Sequence, residues 1–217
     1  MAGGRVVENR EVSERFLWDL RRTIADLIRE VYWGRLREIC HEHGLNLSVE
    51  AAGRQQFLYD PINMGEFWVG EEWTRPDCKL AASVAHITGG NIAGAESFTS
   101  NYACGNPAAG WWQDSPFSLK AKGDHAFCVG INRIVFHRFL HQPRSVHGPG
   151  MAWPGVGTNI DRTQTWWESA GAAWMRYLGR CQYLLQRGRF VGDICVLSGE
   201  VAPNAMARRT KNGPGSP

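Results

Sequence analysis

The stretch Pro76-Asp-Cys-Lys-Leu-Ala-Ala-Ser-Val-Ala-His-Ile-Thr-Gly-Gly-Asn-Ile-Ala-Gly-Ala-Glu96 decides the fold. Proline is pre-organised for a first helical turn, and Ala81, Ala82, Val84 and Ala85 continue an apolar helix that Gly89 closes. Ile92 to Ala95 is then a short apolar run stopped by Glu96, the pattern of a strand buried on both faces. Met64 to Val69 upstream reads as another short strand. Strand, helix and strand in that order form a right-handed crossover, which joins parallel strands.

The same order repeats outward in both directions. Downstream, Ser115 and Pro116 serve as N-cap and first helical residue, the helix ends near Gly130, and Ile131 to Phe136 is a β-branched strand ending at His137. A long loop from Arg138 to Arg162 follows, then a helix from Thr165 to Gln186 closed by Gly188, then a strand from Phe190 to Leu197. Upstream, apolar residues at three- and four-residue steps predict a helix from Val12 to His43, either unbroken or interrupted near Tyr32–Gly34, with Gly44 as its cap. Leu45 to Val49 is a strand that ends at Glu50.

The class is therefore α/β with a parallel sheet. Glu50, Glu96 and His137 each close a strand, and polar residues drawn from several strand ends are the mark of a TIM-type barrel. A doubly wound sheet usually carries a Gly-rich phosphate loop, and none of G-x-G-x-x-G, G-x-x-x-x-G-K-[ST] or G-x-S-x-G occurs. Only four or five strands can be counted, so the expected fold is an incomplete (β/α)8 barrel, roughly its second half. The expected organisation is a partial barrel over residues 1–200 and a basic, Gly- and Pro-rich disordered tail over 201–217.

Composition narrows the function. The 217 residues carry 24 Lys plus Arg against 21 Asp plus Glu, with 43% hydrophobic residues, an ordinary globular balance. The small net charge of +3 and the lack of a Lys/Arg stripe among aromatics argue against nucleic acid. No apolar run reaches membrane-spanning length and the first residues lack a signal-peptide core, so the expectation is a chain with no membrane partner and, as given, no export signal. Six scattered cysteines without a C-x-x-C pair fit neither a zinc site nor a disulfide scaffold, and most should be small buried hydrophobes. Ten Trp with 25 Gly suggest loops carrying flat aromatic faces, as sugar clefts do. Trp18, Trp33 and Trp174, at helical spacing, are expected to fill a core instead.

Glu50, Glu66 and Glu96 stand beside small or aromatic residues, and a carboxylate closing an apolar strand is costly to bury without a polar cavity. Paired carboxylates near aromatic walls suit glycoside hydrolysis; the structural alternative makes them partners of Arg54, Arg133 or Arg138. His137 and His141 lie four apart, lack the glutamate of H-E-x-x-H, and suit hydrogen bonds to substrate hydroxyls.

Together these segments resemble glycoside hydrolase family 106, bacterial α-L-rhamnosidases acting on plant and pectic polysaccharides. The resemblance rests on Arg22-Thr-Ile-Ala-Asp-Leu-Ile, Cys40-His-Glu-His-Gly-Leu, Ser48-Val-Glu-Ala, Met64-Gly-Glu-Phe-Trp and Gly94-Ala-Glu-Ser-Phe-Thr, followed by Val135-Phe-His-Arg-Phe-Leu-His-Gln-Pro, Asp161-Arg-Thr-Gln-Thr-Trp-Trp and Arg180-Cys-Gln-Tyr-Leu-Leu-Gln. It implies a (β/α)8 catalytic domain, inversion at the anomeric carbon, a calcium ion near the sugar, and typically exported full-length relatives. It also implies that the chain is a fragment whose general acid lies upstream, with Glu96 matching the general base. Glu66 and Glu50 match carboxylates that hold calcium or sugar hydroxyls, Glu66 being the candidate metal ligand. His137, His141, Trp166 and Trp167 fall at expected sugar contacts. The expected function is removal of terminal α-L-rhamnose, with the isolated chain inactive. The alternative is a non-catalytic carbohydrate-binding or decayed barrel fragment, with Trp111, Trp112, Trp153, Trp166 and Trp167 as stacking platforms.

Overall fold

A computed structural model describes residues 6–50, 62–70, 76–100, 114–143, 158 and 160–196. The chain divides into two compact units, residues 36–190 and residues 1–35 with 191–217. The expected tail over 201–217 lies outside the described residues.

In the unit formed by the two chain ends, helix α1 spans Arg10–Leu27 and passes into a π-helical stretch, Ile28–Gly34, at the interruption the sequence suggests. Asn9 starts it earlier than Val12, because its side chain accepts the Val12 N–H at 2.9 Å. Trp18 does not fill a core: it is 47% exposed, beside exposed Phe16, Leu20 and Ile24. An apolar helical stripe is buried only where a second layer covers it, and none of the described residues of this unit does so. The expected strand at 190–197 is likewise not formed over its described part. Phe190, Val191, Ile194 and Val196 are exposed and lie in no strand. Strand propensity becomes structure only when a neighbouring strand supplies hydrogen bonds and packing.

The larger unit carries α2 (Arg35–Glu42), closed by Gly44 at φ +69°, where a side chain would be strained. Its sheet holds β1 (Ser48–Glu50), β2 (Ile62–Trp68), β3 (Ala93–Thr99) and β4 (Arg133–Phe136), all parallel and in sequential order. Helix α3 (Pro76–Thr88) connects β2 to β3, and α4 (Pro116–Val129) connects β3 to β4. A doubly wound sheet reverses its strand order at a switch point; this order never reverses, as in a barrel. Ser115 caps α4 and Gly130 ends it at φ +114°. Helix α5 (Ala172–Leu185) follows a second π-helical stretch, Trp167–Gly171.

The register sorts the side chains into two faces. Glu50 pairs with Met64, Glu66 with Glu96, and Glu96 with Val135, so these residues share one face, the inner one of a barrel. Val135 is 42% exposed there, so this face is open within the described residues. The opposite face presents Phe67, Ala93 and Ala95 to a buried cluster with Cys78, Ala82, Ala85, Leu119, Ala126, Trp174 and Leu178. Gly65 allows the close approach of α3, since a Cβ there would lie 2.5 Å from the Cys78 backbone nitrogen. Cys78 is a small buried hydrophobe, whereas Cys128 and Cys195 are exposed, against the expectation for apolar stretches.

Strand β3 does not end at Glu96. It continues to Thr99 through a bulge: Phe67 pairs with Ser97 and Trp68 with Thr99, skipping Phe98, whose φ is +62°. Phe98 turns into the core, edge-on to Phe67 at 4.9 Å, and burial of its ring holds the irregular backbone.

Candidate active site

At the C-terminal ends of the strands, the carboxylates of Glu50, Glu66 and Glu96 converge, with one oxygen from each lying within 4.8 Å of the others. Three neighbouring strands produce this convergence: Glu66 and Glu96 stand side by side at one level of the sheet, and Glu50, paired with Met64, lies on the same face one inward-facing step below. Three like charges so close repel, and the cluster answers by holding a proton. Glu50 is pushed up from 4.5 to about 7, first by loss of hydration at its carboxyl and then by the charges of Glu96 and Glu66. Glu50 is exposed as a residue, yet its carboxyl end is partly stripped of water by the two beside it.

Each partner of the cluster has its own support. Glu66 Oε1 accepts from the Trp68 indole Nε1 at 2.9 Å, two residues along the same strand face. Glu96 Oε1 lies 3.0 Å from His137 Nδ1, with both side chains 20% exposed, and also accepts the Thr99 hydroxyl. His137 stands one residue beyond β4 and prolongs its ladder, its backbone N–H donating to Ser97 O at 3.1 Å.

Glu50, Glu66, Glu96 and His137 thus form one group. His141 is exposed and takes no part in its hydrogen bonds among the described residues. Trp166 and Trp167 are half-buried against the core; Trp166 donates to Asp114 O at 2.9 Å, and Trp167 meets the exposed Phe139 ring at 5.8 Å. Their described contacts are with these groups rather than with the carboxylates. Trp111, Trp112 and Trp153 lie outside the described residues. Two members of the site were not singled out from sequence. Trp68 was legible as the residue two beyond Glu66 on one strand face. Thr99, three beyond Glu96, joins the site only through the bulge, which alternation does not foretell.

The whole chain, residues 1–217, matches the family described as α-L-rhamnosidase, glycoside hydrolase family 106. The chain belongs to this family. The rhamnosidase-family chain is 42% identical over 206 residues to a protein of Formosa agariphila that bears a beta-glucuronidase name, covering 93% of the chain and 17% of that protein. It also matches the structure of a rhamnosidase from Novosphingobium sp. PP1Y with a TM-score of 0.67 at 32% identity, covering 82% of this chain and 17% of that one. The chain therefore spans about a sixth of either relative.

Three carboxylates offer only hard oxygen donors, the set that calcium takes in preference to softer metals. Glu50, Glu66 and Glu96 fit such an ion in type and spacing. No helix among the described residues is long and apolar enough to cross a membrane.

Proposed function

We propose that this chain carries the base side of an inverting glycoside hydrolase site that removes terminal α-L-rhamnose from plant-type polysaccharides or glycosides. The observation that carries the reading is the Glu96 carboxylate, hydrogen-bonded by Thr99 and beside His137, at the strand ends of a parallel sheet. In this role Glu96 takes the proton from the attacking water and His137 beside it binds the sugar, while His141, Trp166 and Trp167, which stand apart from the carboxylates, are sugar contacts on the family resemblance alone. Glu50 and Glu66 hold sugar hydroxyls or calcium, with Glu66 the first candidate ligand. When bound, calcium supplies positive charge that orients the hydroxyls and relieves repulsion among the carboxylates. The family resemblance points to a bacterial source and to full-length relatives that are typically exported.

Inverting hydrolysis needs an acid and a base about 6.5–9.5 Å apart with a water between them. Glu50 and Glu66 approach within 4.8 Å of Glu96, so they suit a cation cradle better than the opposing acid. No residue of this chain is assigned the acid role, and the isolated chain is expected to be inactive.

Electrostatics separate the two activities borne by its relatives. A glucuronate carries its own carboxylate, which the three clustered glutamates repel while no cation is bound, whereas rhamnose is neutral. The test is an assay of the purified chain on aryl α-L-rhamnoside and aryl β-D-glucuronide with calcium. No turnover is expected on either. Rhamnoside turnover abolished by Glu96→Gln would place the acid within this chain, and retained anomeric configuration or glucuronide turnover would overturn the proposal.

A further inference from the structure

We propose that Thr99 is a positioning residue that fixes the Glu96 carboxylate beside the His137 imidazole. The inference rests on the reading of Glu96 as general base and names how that base is held. A hydroxyl has one proton to donate and lone pairs to accept with, and an ionised carboxylate only accepts. The Thr99 proton therefore goes to Glu96 Oε1. Toward His137 Nδ1, 3.2 Å away, the same oxygen can only accept, so Nδ1 carries the ring proton. That N–H also faces Glu96 Oε1 at 3.0 Å. The hydroxyl thereby fixes the orientation of the carboxylate, and carboxylate and hydroxyl oxygen together require the ring proton on Nδ1.

The backbone supports this assignment. In an uninterrupted strand, Glu96 and Phe98 would share the inner face and Thr99 would turn toward the helices. The bulge reverses that order: Phe98 takes φ +62°, a region L side chains avoid, and its ring enters the core against Phe67 and Trp174. Thr99 then stands opposite Trp68 on the Glu96 face, fully buried behind the carboxylate. Packing alone does not require the hydroxyl, because valine fills the same volume. Strained backbone that delivers one hydroxyl to a carboxylate and an imidazole serves position rather than packing.

The experiment is NMR on the labelled full chain, reading three-bond couplings for the Glu96 side-chain rotamer and imidazole 15N shifts for His137. A single Glu96 rotamer and a proton on His137 Nδ1 are expected in the wild type. In Thr99→Val the Glu96 couplings should average over rotamers while the thermal midpoint stays near wild type, and Thr99→Ser should restore the single rotamer. If the valine variant does not fold, Thr99→Ala is read in the same way. The proposal is overturned if Glu96 keeps one rotamer without the hydroxyl, or if serine averages as valine does. Sugar binding is measured separately. A Thr99-dependent rotamer in a chain that binds no rhamnose would overturn the function and leave the positioning role standing.

Discussion

Replacing Glu50 by glutamine should change how stability depends on pH, with a sign fixed by the carboxylate cluster. In the native protein Glu50 is raised from 4.5 to about 7 by lost hydration and by Glu96 and Glu66. Between those two pH values the unfolded chain has released a proton that the native chain still holds. Stability due to this group is then fully present below pH 4.5 and is lost as pH rises through 7. At full weight the displacement corresponds to about 3 kcal/mol. Glu50 is exposed, and solvent screening reduces the expected effect to about 1 kcal/mol. The neutral amide of the Glu50→Gln variant cannot ionise and escapes the penalty. Urea unfolding followed by tryptophan fluorescence at about pH 5 and about pH 8 should therefore show Glu50→Gln gaining about 1 kcal/mol on the wild type as pH rises. Calcium should cancel the wild-type penalty at the higher pH, since the cation takes the place of the proton. Parallel stability curves for the two proteins, without calcium, would show that the carboxylates do not interact as described.

Gly65→Ala should cost about 2–3 kcal/mol, because the new methyl meets backbone atoms of Asp77 and Cys78 that cannot give way. Gly94→Ala should cost less than about 1 kcal/mol, since it meets the flexible Met64 side chain; thermal unfolding checks the ranking. Gln182 Oε1 accepts the Ile134 N–H at 2.8 Å on β4, which among the described strands pairs with β3 alone, so Gln182→Ala should cost about 1 kcal/mol and speed amide exchange at Ile134.

Where residues sit next to one another in sequence, the fold and site were readable. Pro76, Ser115, Pro116 and Gly130 punctuate their helices through local backbone chemistry, and the observed helix bounds follow them. Glu50, Glu66 and Glu96 were legible because a charged residue at or near the end of an apolar strand has few places to go but a polar edge. Long-range packing was not readable. The stretch before Leu197 has the residues of a strand but no neighbour to pair with in its described part, and the Trp18 stripe lacks a covering layer among the described residues of its unit. Thr99 is not legible in the sequence because the bulge depends on how Phe98 packs against Phe67 and Trp174, which no local pattern encodes.

The most direct measurement is a titration of the labelled chain, without added calcium, with L-rhamnose and with D-glucuronate, following the His137 ring and the Trp68 indole by NMR. Rhamnose should shift both signals saturably, Glu96→Gln should weaken that response, and glucuronate should leave them in place. Absence of any rhamnose response, or a stronger one to glucuronate, would contradict the assignment of Glu50, Glu66, Glu96 and His137 to a rhamnose site.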